Sequence, residues 1–180
     1  MSRKFEGEYE FVLKQSTIPG AGLGLFSLQD ICRGTIIGKY EGRLYSENKI
    51  FSSIAQTYTY TNRFNEHIMP DLNKCPFAYI NDIVDVPVSL MFVEIINRRN
   101  LECNLEWRED PHSHFPNILV TVDVQKGDEL FISYGDGYWI NRIRDPKFRK
   151  QFIVGGEVVQ RYCIEKIKYA GMEHECDYSD

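Results

Sequence analysis

No stretch of this sequence approaches the roughly 18 consecutive apolar residues that a membrane-spanning helix requires, which argues against a helical bilayer span. Its first residues, MSRKFEGEYEFVLK, scatter charges where a secretory signal carries an apolar segment, so an intracellular, reducing compartment is expected. Internal repeats and low-complexity tracts are lacking as well, which sets aside solenoids and flexible linkers. The five cysteines, Cys32, Cys75, Cys103, Cys163 and Cys176, form no CxxC pair and no other close ligand spacing. A structural zinc site is therefore not expected, nor any other metal, and each cysteine reads as a small buried apolar residue. Positive charge is short too: 21 lysines and arginines face 26 acids, for a net charge of −5. That sign opposes a surface that tracks nucleic-acid phosphates and suits a basic protein or peptide partner.

What is present fits one compact domain with a small appendage, since 180 residues are enough to bury a core and too few for two full domains. Short runs rich in β-branched and aromatic residues, bounded by glycine, predict strands at Glu8–Lys14 and Thr35–Tyr40. Ile118–Val124 and Glu129–Tyr134 repeat the pattern around the turn-prone Gln125-Lys126-Gly127-Asp128. From Glu157 to Tyr169 the period changes: Val159, Cys163, Ile167 and Ala170 recur at helical spacing between Gly155-Gly156 and Gly171, predicting a carboxy-terminal helix. Residues 1–140 are thus expected to form the main domain and 141–180 an extension with one helix. Periodicity alone leaves sandwich and barrel architectures open.

Two glycine-bearing segments stand out. Ser16-Thr17-Ile18-Pro19-Gly20-Ala21-Gly22-Leu23-Gly24-Leu25-Phe26 carries three glycines in five positions, which lets the backbone turn tightly and approach a ligand. Gly127-Asp128-Glu129-Leu130-Phe131-Ile132-Ser133-Tyr134-Gly135-Asp136-Gly137-Tyr138-Trp139 runs from a strand into glycine-flanked tyrosines. Alone, the first reads equally as a hairpin turn and the second as core aromatics. In this order they resemble the start and finish of a SET domain, whose patterns are approximately GxGxGxxxF and GEELxxxYG. Three stretches between them fit the same family. Ile37-Gly38-Lys39-Tyr40-Glu41-Gly42 resembles its strand ending in tyrosine, any residue, glycine, and Tyr58-Thr59-Tyr60 its aromatic strand. Asp71, then Phe77-Ala78-Tyr79-Ile80-Asn81, resembles the approach to its asparagine-histidine-serine motif, which Asn104-Leu105-Glu106-Trp107 would close. The resemblance is strongest over 11–139.

The sequence departs from the family in three places. Asp82 follows Asn81 where the family has histidine, and about twenty residues separate Asn81 from Asn104. Asn97-Arg98 offers a second alignment of the motif. Only Cys163 and Cys176 follow Trp139, too few for the family's zinc-binding carboxy-terminal extension, so the helix near 157–169, or a second subunit in a homodimer, is expected to complete the substrate channel.

The resemblance implies a mainly β fold with short helices, the SET-domain (β-clip) arrangement of several small sheets with knot-like carboxy-terminal threading. It implies a protein-lysine methyltransferase using S-adenosyl-L-methionine, in a nuclear or nucleocytoplasmic setting, on a basic substrate such as a histone tail. Backbone groups of Gly22, Leu23 and Gly24 would cradle the cofactor, with Tyr58 and Asn81 at its amino-acid end and Trp139 against the adenine. Tyr134 would be catalytic, with Tyr40 and Tyr138 lining the lysine channel. Ile132, two residues before Tyr134 on one strand, would share its face and leave room for more than one methyl group. A SET-like module that binds peptide or cofactor without turnover is the competing reading. His67, His112, His114 and His174 match no family position, and Asp110-Pro-His-Ser-His reads as a turn.

Overall fold

A computed structural model describes residues 3–18, 21–46, 58–83, 102–135 and 138. The chain packs as two compact units, one of residues 1–83 with 102–133 and the other of 84–101 with 134–180. This division follows packing, whereas the boundary at residue 140 follows motifs. In the second unit the described residues are Tyr134, Gly135 and Tyr138, with the rings of Tyr134 and Tyr138 edge-on at 4.6 Å between centroids. Asn97, Arg98, Trp139, His174, Cys163, Cys176 and the helix predicted over 157–169 lie outside the described residues, and so does the segment needed to trace a knot.

The described residues of the first unit form three small antiparallel sheets. β1 (Arg3–Phe5), β2 (Phe11–Gln15) and β3 (Leu23–Ser27) form the first, in that order. β4 (Ile36–Lys39), β8 (Leu105–Arg108) and β9 (Asn117–Val120) form the second, with β9 central. The third places β7 (His67–Pro70) between β5 (Gly42–Tyr45) and β6 (Tyr60–Thr61). A 3-10 turn at Pro76–Tyr79 buries Phe77 and Ala78, and the Phe77 ring meets Phe11 edge-on at 5.7 Å. Proline suits the first position of such a turn, because its φ is already set and its missing N–H has no partner to lose there. Mainly β, in several small sheets, is the architecture expected from the family resemblance.

Residues 124–132 bridge the first and second sheets. The alternating pattern predicted a strand over Glu129–Tyr134, but the segment makes isolated bridges: Val124 with Ile31, Glu129 with Phe26, Phe131 with Asn81 and Ile132 with Leu105. The turn at 125–128 forms as expected, Asp128 N–H donating to Gln125 O at 3.0 Å. Its two flanks then pair with different segments, because the apolar residues of both are drawn into one core. Leu130, Ile132 and Val124 join Leu25, Ile68, Ile80, Ile118 and Val120 there, all essentially without solvent contact. Asn104 clamps the segment with its side chain, donating to Glu129 O at 2.9 Å and accepting from Phe131 N–H at 2.8 Å.

Smaller differences have local causes. β2 begins at Phe11, three residues after its predicted start, because Glu8–Glu10 belong to the connection from β1. The strand predicted to run to Val124 ends at Val120, and β6 starts at Tyr60. Cys75 is buried as expected and Cys103 is partly so; burial pushes the Cys75 thiol up, and burial followed by the nearby Asp82 charge pushes Cys103 up to about 11. Cys32 corrects the expectation of burial. It is exposed, since Ile31 takes the inward position and Cys32 opens a turn closed by Thr35 N–H donating to Cys32 O at 3.3 Å.

Replacing Asn104 by alanine strips both clamps from the 129–131 backbone. An unfolding free energy lower by about 1–3 kcal/mol is expected. Urea titration will read it as an earlier midpoint at unchanged slope; an unchanged midpoint would show that the clamp contributes nothing.

Candidate functional site

The glycine segment turns out to be anchored by a residue that sequence reasoning did not single out. β2 and β3 form a hairpin whose connection is closed by Ser16 N–H donating to Gly22 O at 2.8 Å and Ala21 N–H donating to Ile18 O at 3.1 Å. Beneath it lies the side chain of Glu129, 6% exposed. Its Oε1 accepts from Ser16 Oγ at 2.6 Å, and its Oε2 accepts from Thr17 N–H at 2.7 Å and from Thr17 Oγ1 at 2.6 Å. Asn81 completes the group, its Nδ2 donating to Leu23 O at 3.0 Å and to Glu129 Oε1 at 3.3 Å. The Asn81 carbonyl accepts from Ile132 N–H at 3.0 Å.

The glycines have distinct reasons to be glycine. Gly24 is buried, and a Cβ there would collide with Glu129 Oε1 and lie 2.8 Å from its Cδ and 3.3 Å from Asn81 Nδ2. Gly22 adopts φ +79°, a conformation costly for other residues, but a Cβ there would meet nothing within 4 Å. With Leu23 44% exposed, the Gly22-Leu23 backbone forms an open rim over a fixed base. Gly22, Leu23, Gly24 and Asn81 thus lie in one cluster.

A second cluster gathers the aromatic residues. Tyr40, 5% exposed, donates its hydroxyl to Tyr58 O at 2.5 Å. Its ring lies 5.3 Å from that of Trp107, edge-on, and 6.1 Å from that of Tyr60. Tyr60 and Trp107 are closer still, at 4.5 Å. Tyr60 donates to Glu109 Oε1 at 2.6 Å, while Glu109 Oε2 is buried without a hydrogen-bond partner among the described residues. Burial, and then the hydrogen bond and charge of Glu109, raise the Tyr60 phenol well above the usual tyrosine range, so it stays a donor. Tyr58 packs edge-on against Tyr79 at 6.4 Å.

The structure thus brings Tyr40 and Tyr58 into contact, and Asn81 to the glycine segment. Ile132 is 1% exposed and packs in the core. Tyr134 and Tyr138 belong to the second unit. Glu129, Ser16, Thr17, Tyr60 and Trp107 were not marked as site residues. The usable signal for Glu129 was an acid at the head of the apolar run Leu130-Phe131-Ile132, whose burial demands polar partners. Among the described residues no group of three or more histidine, cysteine or acidic side chains is placed to hold a metal ion. Asp110–Ser113 forms the expected turn, Ser113 N–H donating to Asp110 O at 3.2 Å. His112 and His114 are exposed, and His114 pairs with Glu66 at 2.5 Å.

Alanine at Gly24 and alanine at Gly22 should differ in kind. Gly24→Ala displaces the Glu129 carboxylate and is expected to cost about 1–3 kcal/mol through overpacking plus broken hydrogen bonds. Gly22→Ala costs about 1–2 kcal/mol from backbone conformation and leaves the Glu129 contacts in place. Thermal unfolding measures both; proton spectra showing the Thr17 amide shifted in Gly22→Ala and unmoved in Gly24→Ala would contradict the assignment.

The family model for the SET domain matches residues 22–135. Comparison with curated protein sequences returns no match. Among solved structures, a putative histone methyltransferase of Plasmodium falciparum is similar at 20% identity and a TM-score of 0.48, over 72% of this chain and 96% of that one. A Polycomb Repressive Complex 2 of Chaetomium thermophilum is similar at 20% identity and a TM-score of 0.52, over 82% of this chain and 18% of that one. A ctPRC2 structure in an autoinhibited conformation bound to S-adenosylmethionine gives 20% identity and a TM-score of 0.50, over 79% and 16%. The chain spans under a fifth of both polycomb chains. With the family match extending over well more than half its length, from the glycine segment to the tyrosine before Gly135, the chain belongs to the SET-domain family.

Proposed function

We propose that this protein transfers a methyl group from S-adenosyl-L-methionine to the side-chain amine of a lysine in a basic protein segment, with a histone tail as the representative substrate. The observation that carries this reading is the convergence on Glu129, where one buried carboxylate joins the glycine segment to Asn81. These are the stretches that family resemblance assigns to the cofactor. In this reading the Gly22, Leu23 and Gly24 backbone holds the cofactor, Tyr58 and Asn81 meet its amino-acid end and Trp139 its adenine. The cofactor's sulfonium supplies an activated methyl group with a neutral leaving group.

The protein's own residues supply position and a deprotonated amine. A neutral lysine amine at pH ~7.4 costs about 4 kcal/mol relative to its ammonium form in water. Apolar aromatic walls lower that cost by disfavouring the charged form, the task proposed for Tyr40 and Tyr138. The Tyr134 hydroxyl orients the amine, and alignment of two reactants is worth about 7–11 kcal/mol of barrier. Ile132 in place of a hydroxyl-bearing residue leaves room for more than one methyl group. The helix at 157–169, or a second copy of the chain, completes the channel, and a nuclear or nucleocytoplasmic location goes with a histone substrate.

One observation favours a second reading. Asp82 is buried where the family has histidine, which suits a module that binds cofactor or peptide without turnover. Radiolabelled methyl transfer onto histones and other basic proteins, with cofactor binding measured by calorimetry, separates the two: binding with no transfer on any substrate would establish the module.

Tyr134→Phe keeps the ring and removes the hydroxyl, so cofactor affinity should persist while kcat falls on the order of 10²-fold. Near-normal turnover by the purified variant would remove Tyr134 from the mechanism, and mass spectrometry of wild-type product counts the methyl groups added.

The net charge of −5 further predicts preference for basic over acidic peptides. Charge attraction is screened over about 8 Å at physiological ionic strength, so added salt should raise KM and spare kcat. Equal efficiency on acidic and basic peptides at low salt would end the basic-substrate proposal.

A further inference from the structure

We infer that Trp107 is a positioning residue for methyl transfer, acting on Tyr134 through the peptide that precedes it; this rests on the role proposed above for Tyr134. The indole N–H of Trp107 donates to Ser133 O at 2.8 Å. Ser133 O belongs to the peptide group joining Ser133 to Tyr134. That group is planar from one Cα to the next, so fixing its oxygen restrains the direction in which the chain enters Tyr134.

Trp107 is itself held on several sides. It lies on β8, opposite Ile118 of β9. Its ring packs at 4.5 Å on Tyr60 and at 5.3 Å on Tyr40. Each ring of this trio has its polar group tied to a different part of the chain: Tyr40 to Tyr58 O, Tyr60 to Glu109 and Trp107 to Ser133 O. An indole N–H drawn into a fold takes an acceptor in any case, so what carries information is which acceptor it takes. Here the N–H is spent on the one carbonyl whose peptide leads into Tyr134.

The test is Trp107→Phe in the full chain, which keeps an aromatic ring and removes the N–H. The expected result is a kcat lower by about 10-fold, because small misplacements of a reacting group have effects of that order or larger. KM for cofactor and for a histone peptide should change less than about twofold. The decisive measurement is the double variant: in a Tyr134→Phe background, Trp107→Phe should alter kcat by less than about twofold, since the group it positions is already gone. Full additivity, or a loss of cofactor affinity in place of kcat, would assign Trp107 a merely structural role and overturn the inference. Normal kcat in Trp107→Phe alongside a crippled Tyr134→Phe would overturn it and leave the Tyr134 reading intact. Normal turnover by Tyr134→Phe itself would remove both.

Discussion

Four hydrogen bonds converge on the side chain of Glu129, from the Ser16 hydroxyl, the Thr17 amide and hydroxyl, and the Asn81 amide. Burying an acidic side chain is unfavourable unless its oxygens find donors, and none of the donors here is a cation. The requirement works in both directions. Glu129 can be inside only if the connection between β2 and β3 curls over it, and that connection keeps its shape only because the carboxylate is there to receive it. Gly24 meets the remaining condition, because any side chain at that position would occupy the space of the acid. The open rim at Gly22 and Leu23 is thus a by-product of a closed base.

The aromatic trio applies a related logic to larger groups. Rings give area and shape, but rings alone slide. The hydroxyl of Tyr40, the hydroxyl of Tyr60 and the indole N–H of Trp107 each choose a different acceptor, which converts an apolar cluster into an oriented one. The third sheet and the second sheet meet through these rings: Tyr60 comes from β6 and Trp107 from β8.

Short-range chemistry was legible in the sequence and partner choice was not. The glycine segment, the tyrosine at position 40 and the approach to Asn81 could be found because close spacing of particular residue types marks them. The strand pattern over Glu129–Tyr134 predicted continuous pairing where the chain makes isolated bridges. It could not report that Phe26, Asn81 and Leu105 each take one residue of it, because pairing is decided by which apolar faces must be buried together, at separations of 27 to more than 100 residues. Asp128 was expected in the turn and Glu129 at the head of the strand, with no partner for either. Only the folded chain shows that Asp128 caps the turn, accepting from Gln125 N–H at 2.9 Å, and that Glu129 points inward. Cys32 shows the same limit on a smaller scale, since residue type suggested burial and its place beside an inward Ile31 decided otherwise.

The span of the Glu129 contacts carries a consequence for the order in which the protein is made. Ser16 and Thr17 are 113 and 112 residues away from the acid that receives them. On a ribosome the β2–β3 hairpin can close early, because its pairs are local, but the connection at its tip has no floor until residue 129 has emerged. The rim at Gly22 therefore acquires its shape late in synthesis, and a chain truncated before Glu129 would display the glycine segment without the surface that sets it.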